Sequence, residues 1–197
     1  MAQKNNDTNK LTNLELSIQI SLSGLSFCIL QRDSKTITKL EAIRFEKSLN
    51  PFEVLDYLKN LFNSDADLDN NFQKVTIIHD NDLSAQVPKV LFNEDCLADY
   101  LKFNAKILKS DFITYDVIQD NNSVIVYVPY ININNFIYDK YGTFTFKHVS
   151  TILIENILKA EKDSQDENIY VHVNRNHFEI IIIENVINGL LFHFYVT

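Results

Sequence analysis

The sequence predicts an α/β protein that opens with one three-strand meander and closes with another, with helices and strands alternating between them. Three observations carry this. Leu14, Leu16, Ile18, Ile20 and Leu22 alternate with polar residues, the period of a strand with one wet face. Asn50-Pro51-Phe52-Glu53 starts a helix ahead of apolar residues at helical spacing. After Ile169, short β-rich runs separated by Asn-rich turns bring back the opening pattern.

Taken in order, Met1 to Thr12 is polar, rich in Asn, Lys and Thr, and is expected to be a disordered tail. In the hairpin after the first strand, Ser23-Gly24 is the expected turn, with Gly24 supplying a positive φ. The chain returns through Leu25, Phe27 and Ile29 and, past an Asp33–Lys35 turn, enters a third strand with Ile37, Leu40, Ile43 and Phe45 as its apolar members. Asn50 then caps a helix whose apolar face is Val54, Leu55, Leu58, Leu61 and Phe62. The acidic stretch Asn63 to Asn71 reads as a surface loop; it lacks the ligand spacing and the glycine of a calcium loop.

Lys74 to His79 is a strand, Val87-Pro88 a turn or sheet edge, and Asn93 caps a helix through Leu97, Tyr100 and Leu101. Phe112–Ile118 and Val124–Val128 are two strands around Asp120-Asn121-Asn122. A helix with Ile133, Phe136, Ile137 and Tyr141 ends at Gly142. Phe144 and Phe146 lie in a strand, and Ser150 is expected to cap a nearly all-apolar helix, Ile152 to Leu158. The closing meander runs through Ile169–Val173, Phe178–Ile183 and Leu190–Val196, with turns at Asn174-Arg175-Asn176 and Asn188-Gly189. The second meander reads as an internal repeat of the first.

Composition narrows the function. A net charge of −8 and a pI near 5.0 disfavour nucleic acid, whose phosphates demand a basic footprint. The first residues lack the apolar core of a secretory signal, and the longest aliphatic run, Ile180 to Ile183, is far too short for a membrane span, so a cytoplasmic protein is expected. Cys28 and Cys96 have no metal-ligand spacing and read as ordinary thiols. Only three glycines occur, Gly24, Gly142 and Gly189, so no glycine-rich phosphate loop exists.

With LSIQISLSGLSFCIL at the opening and VPKVLF and VYVP further on, the chain resembles the Domain of Unknown Function 3822 family, uncharacterised bacterial proteins with the actin-like ATPase (ribonuclease H-like) fold. Asp80 to Asn122 is similar to the small inserted subdomain of actin-like adaptors in type IV pilus and type II secretion machinery. The resemblance implies a first lobe over residues 13–165, with 80–122 as a possible insertion, and the start of a second lobe at 166–197, apparently incomplete. It also implies two phosphate loops. The metal-supporting Asp of the first falls on Gln19, its Gly on Ser21 and its phosphate-contacting residue on Ser26, with Ser23 and Gly24 in the turn. The second falls on His172 to Phe178, where Asn174, Arg175 and Asn176 replace glycines and His172 replaces the carboxylate. Phosphoryl transfer needs the metal clamp and the phosphate cradle, so the expectation is a fold without ATPase chemistry, with no catalytic residue, no metal and no cofactor, ATP with magnesium being the one that the fold would otherwise imply.

Other sites give way to plainer explanations. His172, His177 and His193 share the closing meander, but positions 172 and 177 differ in parity, and ordinary hairpin histidines fit better than a metal cluster. Ser21, Ser23 and Ser26 form the wet side of a hairpin. Glu94 and Asp95 suit a helix N-terminus better than acid–base work. Phe178 to Ile183 is apolar on both faces and must be central in a sheet or paired with another chain. The expected function is a non-catalytic scaffold or adaptor that meets an unknown protein, or itself, through that strand. The alternatives are an actin-like ATPase with atypical loops and a small-molecule enzyme using the His172–His177 hairpin.

Overall fold

The computed structural model describes residues 13–164, 166–174, 177–184 and 188–195, the side chains of 177, 184 and 188–195 excepted. The chain divides into two compact units, Met1–Ile77 with Asn132–Phe146, and Ile78–Ile131 with Lys147–Thr197. A five-stranded sheet has the order β3-β2-β1-β4-β8. Its strands are β1 (Leu14–Ser21), β2 (Gly24–Gln31), β3 (Thr36–Arg44), β4 (Lys74–His79) and β8 (Thr145–His148).

In the first unit the alternation of β1 does what its period requires. Leu16, Ile18 and Ile20 pair in register with Ile29, Phe27 and Leu25 of β2, and all six are buried. Fully burying one such side chain is worth about 1.5–3 kcal/mol, so this pair of strands is the firm base of the unit. Helix α1 (Pro51–Ser64) starts in a complete capping box: the Asn50 side chain accepts from the N–H groups of Phe52 and Glu53, and Glu53 accepts from the N–H of Asn50. It buries Val54, Leu58 and Phe62. Phe62 meets Phe136 of α3 (Ile131–Tyr141) edge to face, 5.4 Å between centroids. Gly142 follows α3 at φ 74°, and its N–H donates to Tyr138 O, the left-handed helix end expected of it.

Two readings of this unit need correction. The first hairpin turn is Leu22-Ser23, since Ser21 pairs with Gly24, and Gly24 opens β2 without a positive φ. Its glycine answers a steric need: a Cβ there would stand 2.4 Å from Ile43 O of β3. The Asn63–Asn71 stretch is partly ordered rather than a plain loop. It holds the end of α1 and a single 3₁₀ turn, Ala66–Asp69, whose capping Asp65 joins Asp67 in gripping the Lys39 ammonium at 2.6 and 2.8 Å. Those carboxylates, Asp65 first, push the Lys39 pKa up.

The second unit holds two three-stranded sheets. One, in the order β5-β7-β6, is built from β5 (Ser84–Pro88), β6 (Thr114–Ile118) and β7 (Ser123–Tyr127). It has its own core of Val87, Leu101, Val124, Val126 and Val128, and helix α2 (Leu97–Leu101) packs against β5 and β7. The other, in the order β11-β10-β9, joins β9 (Asn168–Val173), β10 (His177–Glu184) and β11 (Asn188–Tyr195). Helix α4 (Val149–Ala160) packs against β6 and β11.

Here too the details differ from expectation. His148, not Ser150, caps α4, its imidazole accepting from the Ser150 N–H while Ser150 lies in the first turn. Asn188 and Gly189 are strand residues paired with Glu184 and Ile183, not a turn. Of the expected turn Asn174-Arg175-Asn176, the last two residues lie outside the described ones, as do residues 1–12.

Candidate functional site

The two positions that the phosphate-loop comparison singles out lie in different units, and each has its own chemistry. In the first unit, Gln19 sits on β1 opposite Ser26 of β2. The Ser21 hydroxyl donates to Gly24 O at 3.0 Å, lies 3.1 Å from the Ser23 hydroxyl, and accepts from the Ser23 N–H at 3.3 Å. A short hydroxyl side chain thus closes the turn on itself, the usual use of serine at such a place.

In the second unit, the β9–β10 hairpin supplies His172 and Asn174, while Arg175 and Asn176 lie outside the described residues. Register places His172 beside Glu179 of β10, and His172 Nδ1 lies 3.1 Å from Glu179 Oε2. Glu179 is buried, its side chain 1% exposed. Its other oxygen accepts from the Ser150 hydroxyl at 3.1 Å, at the N-terminal turn of α4, where the helix dipole favours negative charge. The Asn174 amide donates to Asp80 Oδ2 at 2.9 Å, and Asp80 is also buried. Contact with Glu179, chiefly its hydrogen bond, raises the pKa of His172 above the ordinary histidine value.

The cap of α4 extends this polar cluster. His148 Nε2 lies 3.0 Å from Asn81 O, which can only accept, so the proton is on Nε2 and Nδ1 takes the Ser150 N–H. Asp116 of β6 receives the His148 N–H at 2.9 Å, the Thr151 hydroxyl at 2.8 Å and the Tyr127 hydroxyl at 3.2 Å. Burial raises the Asp116 carboxyl, and these donors only partly offset it. Burial, then the charge of Asp116, raises the Tyr127 phenol. His79 and Tyr130 add an edge-to-face pair at 5.5 Å, with the Tyr130 hydroxyl donating to Asp80 O. Among the described residues no group of three or more His, Cys, Asp or Glu is arranged to hold a metal. Cys28 and Cys96 are free thiols.

Sequence reading found His172 and Asn174 but missed Asp80, Asp116, Glu179 and the His148–Ser150 cap. Glu179 had a visible signal, as the one charged residue inside FEIIII. Asp80 and Asp116 had none, because only the folded chain brings them to their partners.

The second unit also carries an apolar surface. Register pairs Ile169, Val171 and Val173 of β9 with Ile182, Ile180 and Phe178 of β10, so the six share one sheet face. On that face Ile169, Val171 and Val173 are 66%, 56% and 74% exposed. The opposite face, with Glu179, Ile181 and Ile183, is buried.

A family model described as Protein of unknown function (DUF3822) matches residues 3–194. No curated protein matches. Among solved structures the chain is similar to a protein of unknown function with an actin-like ATPase fold from Bacteroides thetaiotaomicron. The TM-score is 0.82 at 23% identity, over 97% of this chain and 73% of that one. It is also similar to a chain of the PilM–PilN type IV pilus biogenesis complex, with a TM-score of 0.59 at 10% identity over 93% of this chain and 62% of that one. The cytoplasmic domain of EpsL, from the type II secretion system of Vibrio cholerae, gives a TM-score of 0.44 at 9% identity, over 91% and 69%. The fold is therefore actin-like, as the paired meanders led one to expect.

Proposed function

The chain belongs to the family described as Protein of unknown function (DUF3822), and from that premise we propose that it is a non-catalytic, actin-like scaffold or adaptor of the bacterial cytoplasm, docking another protein chain on the open face of β9 and β10. The observation that carries the reading is that face: six apolar side chains in register, those of β9 more than half exposed. Contiguous apolar patches of this kind mark interaction sites. In the described residues no helix is long and apolar enough to cross a membrane.

The loop positions support the non-catalytic half of the reading. A phosphate site needs donors free to converge on an anion, and a cation to offset its charge. Ser21 spends its hydroxyl inside its own turn. His172 and Asn174 are turned toward the buried Glu179 and Asp80. These contacts support a reading in which the described donors of the two loops serve the fold rather than a phosphate.

Calorimetric titration with magnesium and ATP, alongside thermal melting, tests this half. We expect no heat of binding and no shift. A site filled at a hundred times its dissociation constant would stabilise the fold by about 2.7 kcal/mol, a change plain in a melting curve, and that result would return the protein to the nucleotide-binding ATPases. For the docking half, an apolar fluorescent dye should light up on the native chain and lose most of its signal when Val171 and Val173 are both replaced by lysine.

A further inference from the structure

We propose that the small sheet of the second unit carries a further contact surface, which rests on an anionic lipid surface through Phe103, Leu108 and the lysines beside them. It is separate from the face of β9 and β10 and does not depend on it. The two faces of the small sheet have different neighbours. On one, Asp116 and Tyr127 meet the start of α4. On the other, Val124, Val126 and Val128 belong to the core over which α2 packs.

The loop after α2 is fastened to that core and still holds large apolar side chains away from it. Leu101 is buried in the core, and Ile107 and Ile113 pack against it. Phe103, Leu108 and Phe112, set among them in the chain, are each more than half exposed, Phe103 at 83%. Local bonds fix this arrangement. The Ala105 N–H donates to Leu101 O at 2.8 Å. Asp111 closes the turn at Leu108 twice, its carboxylate accepting from the Leu108 N–H at 2.7 Å and its own N–H donating to Leu108 O at 3.1 Å. The exposed Leu91 joins the same layer, since the Tyr100 hydroxyl, one helical turn before Phe103, donates to Leu91 O at 2.8 Å. Single apolar side chains on a surface are ordinary, but several on one tied layer form a patch.

The charges around the patch select its occupant. Lys102 to Lys109 reads KFNAKILK, and no other eight-residue run of this chain, whose net charge is −8, has three cations and no acid. Lys102 lies over the Phe103 ring at 5.1 Å while paired with Asp99 at 2.8 Å. Lys106 and Lys109 have no ion pair among the described residues, and Asp111 is turned back into its own loop. Glu94 and Asp95 lie ahead of α2, at the opposite end of that helix from the lysines. Phenylalanine and leucine that protrude beside lysine suit a headgroup layer, where the apolar side chains enter and the ammonium groups meet lipid phosphates. A bilayer accepts such protrusions without the matching concavity that a protein partner would have to supply. The contact is peripheral, at headgroup depth.

Vesicle sedimentation and single-tryptophan fluorescence test this on the full chain, which has no tryptophan of its own. On vesicles with about one third phosphatidylglycerol, bound protein should exceed that on pure phosphatidylcholine at least tenfold. Phe103→Trp emission should shift to the blue on binding, whereas Tyr138→Trp, exposed on α3 of the first unit, should not shift. Phe103→Ser with Leu108→Ser, and separately Lys106→Glu with Lys109→Glu, should each cut binding at least tenfold. All four side chains are exposed, and circular dichroism should report an unchanged fold. Val171→Ser, on the β9 face, should bind vesicles as the parent does. No binding to the anionic vesicles overturns the proposal and leaves the patch to an acidic protein partner. Equal binding to both kinds of vesicle, binding that survives Phe103→Ser with Leu108→Ser, or binding lost with Val171→Ser instead overturns it as well.

Discussion

The Asp116 carboxylate shows how much one side chain can hold in place. It gathers the N–H of His148, the hydroxyl of Thr151 and the hydroxyl of Tyr127 from α4 and β7. Asp116→Ala strands three donors in a buried setting, at about 1–3 kcal/mol each for those that find no water. We expect a loss of about 3 kcal/mol in urea unfolding, with Asp116→Asn costing less because it keeps an acceptor. At His172 the effect depends on pH. Its pKa is raised in the folded chain above the 6.5 of a free histidine, by Glu179 first. Protonation is therefore favoured by folding, and the resulting stability is complete below pH 6.5 and disappears as pH rises through the folded value. Melting temperature should fall between pH 6 and pH 9, and His172→Gln should flatten that slope. A slope unchanged in the variant would mean that another group titrates.

Secondary structure was written plainly where period and capping agreed, and obscurely where a residue answered to a neighbour far along the chain. The Asn50 box needed four consecutive residues and was legible at once. Its removal by Asn50→Ala should cost about 1 kcal/mol, read as a shift in denaturation midpoint. Gly24 was noticed for the wrong reason. A turn explanation was available locally, but the actual constraint is Ile43 O on β3, a contact between residues nineteen positions apart. Gly24→Ala must move one backbone against another rather than bend a side chain, so a loss of about 1–3 kcal/mol is expected. The cap of α4 was misassigned because serine is the commoner N-cap, and only the fold reveals that His148 is held by Asn81 and Asp116. The same limit applies to the candidate site. Loop positions could be aligned from sequence, while the carboxylates that occupy His172 and Asn174 could not.

At the scale of the whole molecule, charge and apolar surface pull in opposite directions. The chain carries a net charge of −8, so it repels an acidic partner, another copy included, over distances comparable with the Debye length, about 30 Å at 0.01 M salt and 8 Å at 0.15 M. The face of β9 and β10 proposed to dock a partner is apolar, so little of its attraction is ionic. Added salt screens that repulsion and leaves the burial of Val171 and its neighbours against a partner almost untouched. Association with an acidic partner through this face, measured by sedimentation, should therefore tighten by about two- to fivefold between 20 mM and 300 mM sodium chloride. An interface held by complementary charges would respond the other way, weakening as salt rises. The direction of the salt effect thus separates an apolar sheet face from an ion-paired surface, and an association that weakens in salt would point away from β9 and toward a surface of complementary charge.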